Sequence, residues 1–567
     1  MRVLLRCDGG GPLGVGHVIR SLALAEAAVD AGHEVVVAGH FEGSFLQGQL
    51  AAAPVEVAQL SAWAADGDLQ PLIDLVRRLR PDVLHVDSYL APDRLRVLVT
   101  STGGGAGLGD EDPTSLVVSN MEDGTFGRRP ADVVVDPTFG AELSARPADG
   151  TPWLLRGSRY TPVRQRVIDA RRRASDDRAS DDRASDHRAS DHRASDDRGP
   201  DDNVGGVGQV ARSVLVVMGG TDPVGLAPGA VELLARTGLA LEVTAIAVGE
   251  NAERVRAAAQ GSRLSLNVLA PVDDLAAMMS AHDLVISAAG TSIWELCCIG
   301  VPTAVAWAVD NQREGYERVV AAGAAIGLCG PELGRYELGG DERAVDRLKR
   351  ALTDPEVRAR LVRAGRQIVD GLGAWRVVRT WEQALAVPSP PEIGFDPMVA
   401  RPATPEDSRQ LWQWRNDPVT RAGSRSSAEV SWDDHLRWFT ASLTRTDRVL
   451  LVVEDPAGPA GTVRWDLVRE RDGEPGGSHE WEVSITVAPE RRGQNLGRPL
   501  LRAGEVALAE KTSGVTRSGG TEVHAYLAVV RIDNQSSMRL FETSAYLPDL
   551  PPDPGGFMRF RKDARVT

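Results

Sequence analysis

Short, mostly apolar runs alternate along this chain with longer segments of helical period. Residues 2–5 (RVLL) form the first run, and a glycine-rich turn follows from Gly9 to Gly16. A helical pattern spans 17–31, Gly32 ends it, and 34–38 reads as a second strand. Further buried strands are predicted at 82–87 (DVLHVD) and 131–136 (ADVVVD). Continuous apolar strands separated by helices are what a parallel sheet covered on both faces requires. A second series starts at Ser213 (SVLVVM), with strand-like runs at 241–248 and 284–287 and one polar helix over about 341–386. From Met398 to about Arg561 the order changes. Strands at 449–453, 482–487 and 523–527 mix with helices there, as in an α+β domain.

Between the two α/β series, a five-residue unit (RASDD or RASDH) recurs from Arg173 to Arg198. It contains no large apolar residue and cannot bury a core, so 173–209 is expected to be a disordered insertion. His187 and His192 lie inside it and read as drift from Asp, not as metal ligands. Pro388-Ser389-Pro390-Pro391 opens a linker over 388–397. The expected organisation is a Rossmann-like domain at 1–172, a second at 210–387 and an α+β domain at 398–563.

Composition narrows the partners. The chain has 567 residues and a net charge of −15. That argues against a nucleic-acid face, which needs a basic patch. Small anions stay possible, because backbone N–H groups and helix starts hold them without formal charge. Cys7, Cys297, Cys298 and Cys329 form no CxxC pair, so neither a zinc site nor a disulfide framework is expected. The first residues lack a signal-peptide core, and no run approaches the length of a membrane span. A cytoplasmic, metal-independent protein with small-molecule partners follows as the expectation.

Two segments of the α/β series have the make-up of ligand loops. Asp8-Gly9-Gly10-Gly11-Pro12-Leu13-Gly14-Val15-Gly16-His17 joins a strand to a helix. Gly14 and Gly16 would let a ligand approach the backbone, and the helix start favours an anion. The spacing is not the GxGxxG of dinucleotide sites. His17, at the helix start, is a candidate base, and the bland alternative is a capping or packing histidine. Farther on, a buried strand ends in Gly290-Thr291-Ser292, followed by Trp294, Glu295 and, downstream, Asn311 and Gln312. Small hydroxyl residues at a helix start suit a diphosphate, and Glu295 can accept from ribose hydroxyls. Cys297 and Cys298 on that helix read as packing.

RCDGGGPLGVGHVIRSLALAEAAVDAGHEV resembles the opening of the UDP-sugar hydrolase family of pseudaminic acid biosynthesis, which is similar in fold to the two-Rossmann (GT-B) glycosyltransferases. The likeness continues through Asp87-Ser88-Tyr89, Leu155 to Tyr160 and Met218-Gly219-Gly220-Thr221-Asp222-Pro223, over about 1–385 apart from the RASDD insertion. The resemblance implies hydrolysis of a UDP-2,4-diacetamido-2,4,6-trideoxy sugar. His17 would activate water, and Tyr89 would orient sugar or water. Arg20, Gly219 and Gly220 would line the site, and Asn311 and Gln312 would face the sugar.

In the third domain, Glu482 to Val487 is followed by Ala-Pro-Glu-Arg491-Arg492-Gly493-Gln494-Asn495-Leu496-Gly497. A strand, a loop rich in free N–H groups and a helix start together cradle a pyrophosphate, and Arg491 and Arg492 would add charge to hold it. The stretch resembles the acetyl-CoA loop of GNAT acetyltransferases, with Asn495 at the central glycine. Asn tolerates the left-handed conformation. Asn534-Gln-Ser-Ser537 to Tyr546 resembles a further family motif, which implies that Asn534 contacts CoA. Phe541 falls where many members carry a tyrosine acid, and it cannot protonate a thiolate. Glu482 is the candidate base. Arg401 to Asp407, Trp414-Arg415-Asn416-Asp417 and His435 to Phe439 resemble the branch that acetylates UDP-4-amino sugars. The expected fold is thus a two-Rossmann (GT-B-like) α/β unit followed by an α+β GNAT domain. Two readings of the α/β unit stay open: a glycosyltransferase, or a non-catalytic module that binds sugar nucleotides.

Overall fold

The structure, a computed structural model, describes residues 1–63, 69–97, 116–186, 210–219, 222, 224–329, 338, 342–387, 398–469, 479–513 and 522–566. The chain divides into two units, Met1–Leu385 and Ala386–Thr567.

The apolar runs of the first unit become central strands. β1 (Arg2–Cys7) and β4 (Val83–Asp87) lie side by side, with Leu4 in register with Leu84. β2 (Glu34–Gly39) and β3 (Glu56–Gln59) extend the sheet on one side, and β5 (Val117–Met121), β6 (Val133–Asp136) and β7 (Trp153–Arg156) on the other. The order is β3-β2-β1-β4-β5-β6-β7, and every pairing is parallel. A second parallel sheet is built from β8 (Ser213–Val217), β9 (Leu241–Ile246), β10 (Leu264–Leu269), β11 (Leu284–Ala288), β12 (Thr303–Ala306) and β13 (Ile326–Gly327). Its order is β10-β9-β8-β11-β12-β13. Both sheets reverse strand order beside their first strand, and the crevice at such a switch point is where ligands of open α/β sheets bind.

Three expectations need correction here. The polar helix read over 341–386 is three helices: Glu342–Thr353, Pro355–Ile368 and Gly373–Ala386. Asp354 caps the second by accepting from the N–H groups of Glu356 and Val357, and Gly371 turns the chain at φ 88. The division at 172 also changes. The helix Gln165–Asp186 contributes Val167, Ala170 and Ala174 to the core of the second sheet. The last helix returns to the first, where Trp381 donates to Ser119 on β5 at 2.9 Å. Each helix follows its apolar side, not its place in the chain. Finally, the RASDD repeat does not begin disordered. The helix continues through it to Asp186, extending turns anchored by Val167 and Ala170, and elongating a nucleated helix is cheap. The rest of the repeat, with His187 and His192, and the linker 388–397 lie outside the described residues.

The second unit is one mixed sheet. Its strands are β14 (Val399–Pro402), β15 (Arg448–Asp455), β16 (Gly458–Arg469), β17 (Glu480–Val487), β18 (Glu522–Arg531), β19 (Leu547–Leu550) and β20 (Phe557–Val566). The order is β14-β15-β16-β17-β18-β20-β19, antiparallel except at β17 and β18. Those two pair only from Glu480/Ala525 to Val483/Ala528. Beyond that the strands part, and the ends of β17 and β18 form a wedge.

Candidate active sites

In the first unit the chain leaves β1 through the glycine turn and enters the helix Gly16–Asp30. A side chain at Gly10 would put its Cβ 2.6 Å from the Glu42 carbonyl oxygen, at φ 108. At Gly16 a Cβ would come within 3.3 Å of the Thr291 side chain, so the helix start of the first sheet faces the helix start of the second. Gly14 is exposed at the rim of this turn.

His17 is the next residue. Its Nδ1 lies 2.7 Å from Asp87 Oδ1, at the end of β4. Burial opposes ionisation of Asp87, but the Arg20 guanidinium and His17 outweigh it and hold the carboxyl far below its usual range. Arg20 Nη2 also lies 3.1 Å from Nδ1, but it donates to Asp87 Oδ1 at the shorter 2.7 Å, and the ionised Asp87 accepts the Nδ1 proton. That sets the tautomer and leaves Nε2 with its lone pair. Nε2 has no partner among the described residues. An orienting carboxylate behind an imidazole is the arrangement that makes a positioned general base.

Arg20 departs from expectation. Its Nε and Nη2 donate to Asp87 at 2.5 and 2.7 Å, and Nη1 donates to both oxygens of Asp123 at 2.7 and 2.8 Å. The guanidinium is spent on two carboxylates and is a positioning group, not a ligand arm. Tyr89 donates its hydroxyl to Asp123. Burial and the Asp123 charge push that hydroxyl well up, so it stays protonated. Its ring meets the imidazole edge-on, with centroids 4.7 Å apart. Asp123 was not foreseen. Its one sequence signal is an acidic turn, Glu122-Asp123-Gly124, just past a buried strand.

Across the cleft, the helix Ser292–Ile299 starts after β11. No protein acceptor takes the N–H groups of Gly290, Thr291 or Ser292 among the described residues. Gln312 closes over this turn. Its Nε2 would lie 3.3 Å from a Cβ at Gly290, and its Oε1 accepts from the Ala308 N–H at 2.9 Å. Glu295 follows one turn into the helix, and its carboxylate has no hydrogen-bond partner among the described residues. Burial pushes it up to about 7, against the pull of Arg166 and Arg164. Asn311 lies in the first turn of the helix Asp310–Ala321. Gly219 follows β8 at φ 78, and Gly220 lies outside the described residues. Burial pushes the Cys297 thiol up to about 12 and the Cys298 thiol to about 11, which suits packing. Among the described residues no cluster of His, Cys, Asp and Glu is placed to hold a metal ion, and no helix is long and apolar enough to cross a membrane.

In the second unit the wedge between β17 and β18 leads into the predicted loop. After Val487 come a 3-10 turn (Pro489–Arg491), Gly493 at φ 78 and Asn495 at φ 56, and then the helix Gly497–Ser513. Asn495 therefore adopts the left-handed conformation expected of it. The N–H groups of Gly493, Gln494, Asn495 and Leu496 reach no acceptor among the described residues, so the loop fits an anionic pyrophosphate. Its arginines are already paired. Arg491 meets Asp455 at 2.6 Å, and Arg492 donates to Asp417 and Thr420, each at 2.6 Å. The charge these arginines would bring is spent locally, and the cradle is the backbone.

Asn534 caps the helix Gln535–Thr543, accepting from Ser537 N–H at 3.1 Å. That helix meets the loop where a Cβ at Gly497 would be 3.3 Å from Leu540. Glu482 projects from the face of β17 opposite the core residues Trp481 and Val483, and pairs with Arg425 at 3.0 Å. Arg425 was not foreseen, because it comes from a polar loop. Phe541 packs against Tyr546 with ring centroids 5.0 Å apart, inside the core. Tyr546 is itself buried and donates to Glu505 at 3.0 Å.

Residues 398–545 match the acetyltransferase (GNAT) domain family. The α/β unit is similar to the spore coat polysaccharide biosynthesis protein SpsG of Bacillus subtilis, 29% identical over 172 residues. That match takes in 29% of this chain and 48% of the relative, so the chain spans about half the length of the curated relative it matches. Among solved structures, MurG of Acinetobacter baumannii aligns at 17% identity and a TM-score of 0.45, over 67% of this chain and 99% of that one. Spermidine N-acetyltransferase of Vibrio cholerae, solved with CoA and spermine, aligns at 15% identity and a TM-score of 0.24, over 30% of this chain and 97% of that one.

Proposed function

We propose that the chain is a bifunctional sugar-nucleotide enzyme of a pseudaminic acid-like (nonulosonate) route. The unit Met1–Leu385 hydrolyses a UDP-2,4-diacetamido-2,4,6-trideoxy sugar and releases UDP. The unit Ala386–Thr567 acetylates the preceding UDP-4-amino sugar, with acetyl-CoA as the donor. The observation that carries the first half is the unpartnered Nε2 of His17, fixed by an ionised Asp87 beside a helix start with unspent N–H groups. Similarity to a polysaccharide biosynthesis protein supports a sugar substrate.

In this reading His17 Nε2 takes a proton from water as the water oxygen attacks C1. The C1–O bond breaks and its electron pair leaves with UDP. The N–H groups of Gly290 to Ser292 meet the charge that develops on the diphosphate. Glu295 accepts from the ribose hydroxyls. No covalent nucleophile is required, because the leaving group is already good.

In the acetyltransferase unit, the loop from Gly493 to Leu496 would hold the CoA pyrophosphate, and the wedge beside Val487 would admit the pantetheine arm. Bound acetyl-CoA supplies an activated acetyl thioester. Glu482 takes the proton that the amine sheds as its nitrogen attacks the carbonyl, directly or through water. Phe541 lies in the core and donates no proton, so solvent protonates the departing thiolate.

Incubation of the chain with UDP-4-amino sugars and acetyl-CoA, with products read by mass spectrometry and NMR, tests both steps. The His17→Ala variant should release UDP about 10²–10⁴-fold more slowly. Undiminished release would remove His17 as the base. Release only in the presence of a sugar acceptor would make the unit a glycosyltransferase. UDP binding without turnover in the wild type would make it a binding module.

A further inference from the structure

Two cations in the acetyltransferase domain have no carboxylate partner among the described residues, and a third beside them shares one. Arg415 lies in the last turn of the helix Ser408–Asn416, Arg421 lies in the short helix Pro418–Ala422, and Arg464 comes from β16. Arg415 Nη2 donates to the Ser426 carbonyl at 2.9 Å, and Arg421 Nη1 to the Ser427 carbonyl at 3.3 Å. Adjacent carbonyls of one loop thus hold the two heads. Arg464 shares Asp466 with Arg448, and Arg492 has Asp417. Arg415 and Arg421 have no carboxylate within ion-pair distance among the described residues. Arg415 Nη1 and Arg421 Nε are buried with no acceptor. Burial, and then the charges of Arg421 and Arg464, pull the Arg415 guanidinium below its ordinary value.

Buried donors without acceptors are costly and call for an explanation. So do unpaired cations gathered in a chain of net charge −15. The position supplies one. Arg464 pairs across to Ser484, two residues along β17 from Glu482 and on the same face. Arg425, on the loop that follows Arg421, reaches Glu482 itself.

We infer that Arg415 and Arg421, with Arg464, form an anion subsite for the acetyl acceptor that takes the diphosphate of a nucleoside-diphosphate amino sugar and so presents its amine to Glu482. The inference rests on the acetyl transfer proposed above. Guanidinium forks match phosphate oxygens, and the two orphaned N–H groups are the donors a phosphate would satisfy. CoA carries the same chemistry, but the loop from Gly493 to Leu496 already offers it unspent N–H groups.

The test is steady-state acetyl transfer by the full chain and its Arg415→Gln and Arg421→Gln variants. The KM for a UDP-4-amino-4,6-dideoxy sugar should rise about ten-fold or more, with the KM for acetyl-CoA within about two-fold of wild type. A rise confined to acetyl-CoA would reassign the donors to the cofactor and overturn the inference, as would no change in either constant. Calorimetric titration with inorganic pyrophosphate separates this from the acceptor's identity. The double variant should bind one equivalent fewer than wild type. Equal stoichiometry overturns the subsite even if acetyl transfer is found. A lost equivalent without acetyl transfer upholds the subsite and overturns the acceptor.

Discussion

Asp87 decides what His17 can do. A histidine at a helix start is an ambiguous feature until something fixes its tautomer, and the ionised carboxylate at 2.7 Å does so. Arg20 then keeps that carboxylate ionised, which explains why a residue that looked like a ligand arm is turned inward. Glu295 carries a prediction at this scale. Its carboxyl is raised to about 7 from an ordinary value of 4.5. A raised acid binds its proton more tightly folded than unfolded. Its contribution to stability is therefore full below the ordinary value and lost as pH rises through about 7. Glu295→Gln should raise the melting temperature relative to wild type above that pH, with no difference at low pH. UDP binding should change in the opposite sense. The ionised carboxylate accepts more strongly from two hydroxyls than the neutral acid does, so wild-type affinity should increase between pH 6 and 8, about ten-fold at most. Calorimetry at several pH values checks this, and a pH-independent affinity in wild type would remove Glu295 from the ribose contact.

Among elements, both proposed phosphate sites are loops that run from a buried strand into a helix, and both leave N–H groups unspent. The second-unit loop depends on backbone shape at Asn495, which sits at φ 56. Asn and Gly reach that region at little cost, whereas a β-branched residue does not. Asn495→Gly should leave the KM for acetyl-CoA within about two-fold, and Asn495→Val should raise it about ten-fold or more with the fold retained. Equal constants for both variants would show that the loop does not need this conformation to hold the cofactor. The neighbouring arginines teach a related point. Sequence proximity to the loop put Arg492 on the cofactor, yet Asp417, 75 residues away, takes its charge.

At the scale of the whole molecule, two units on one chain invite the idea that product of one site reaches the other before escaping. The proposed steps are consecutive, and tethering raises local concentration by mass action alone. At low enzyme concentration the intact chain should convert a UDP-4-amino sugar to free diacetamido sugar with a shorter lag than an equimolar mixture of separately expressed Met1–Leu385 and Ala386–Thr567. Equal lag and equal flux would reduce the fusion to co-expression.

Much of the architecture was legible because it is local. The apolar runs at 2–5, 82–87 and 284–287 became central strands, since a strand buried on both faces has little choice of composition. The loop ending at Gly497 was legible for the same reason, as strand, turn and helix are contiguous. Asn495 even announced its own conformation. Local pattern could not say which sheet the helices at 165–186 and 373–386 would cover, because an apolar stripe records that a partner exists and not which one. Nor could it reveal the grouping proposed to be catalytic. His17, Asp87 and Asp123 are brought together by the parallel order of β1, β4 and β5, and Arg20 links the two carboxylates only once that sheet has formed. The sequence by itself determined the strands, the loops and the chemistry each loop could hold. Tertiary structure alone decided which charges neutralise one another and which stay unpaired and available to a ligand. That outcome depends on distances between residues far apart in the chain, as with the unmatched Arg415 and Arg421 beside the matched Arg492.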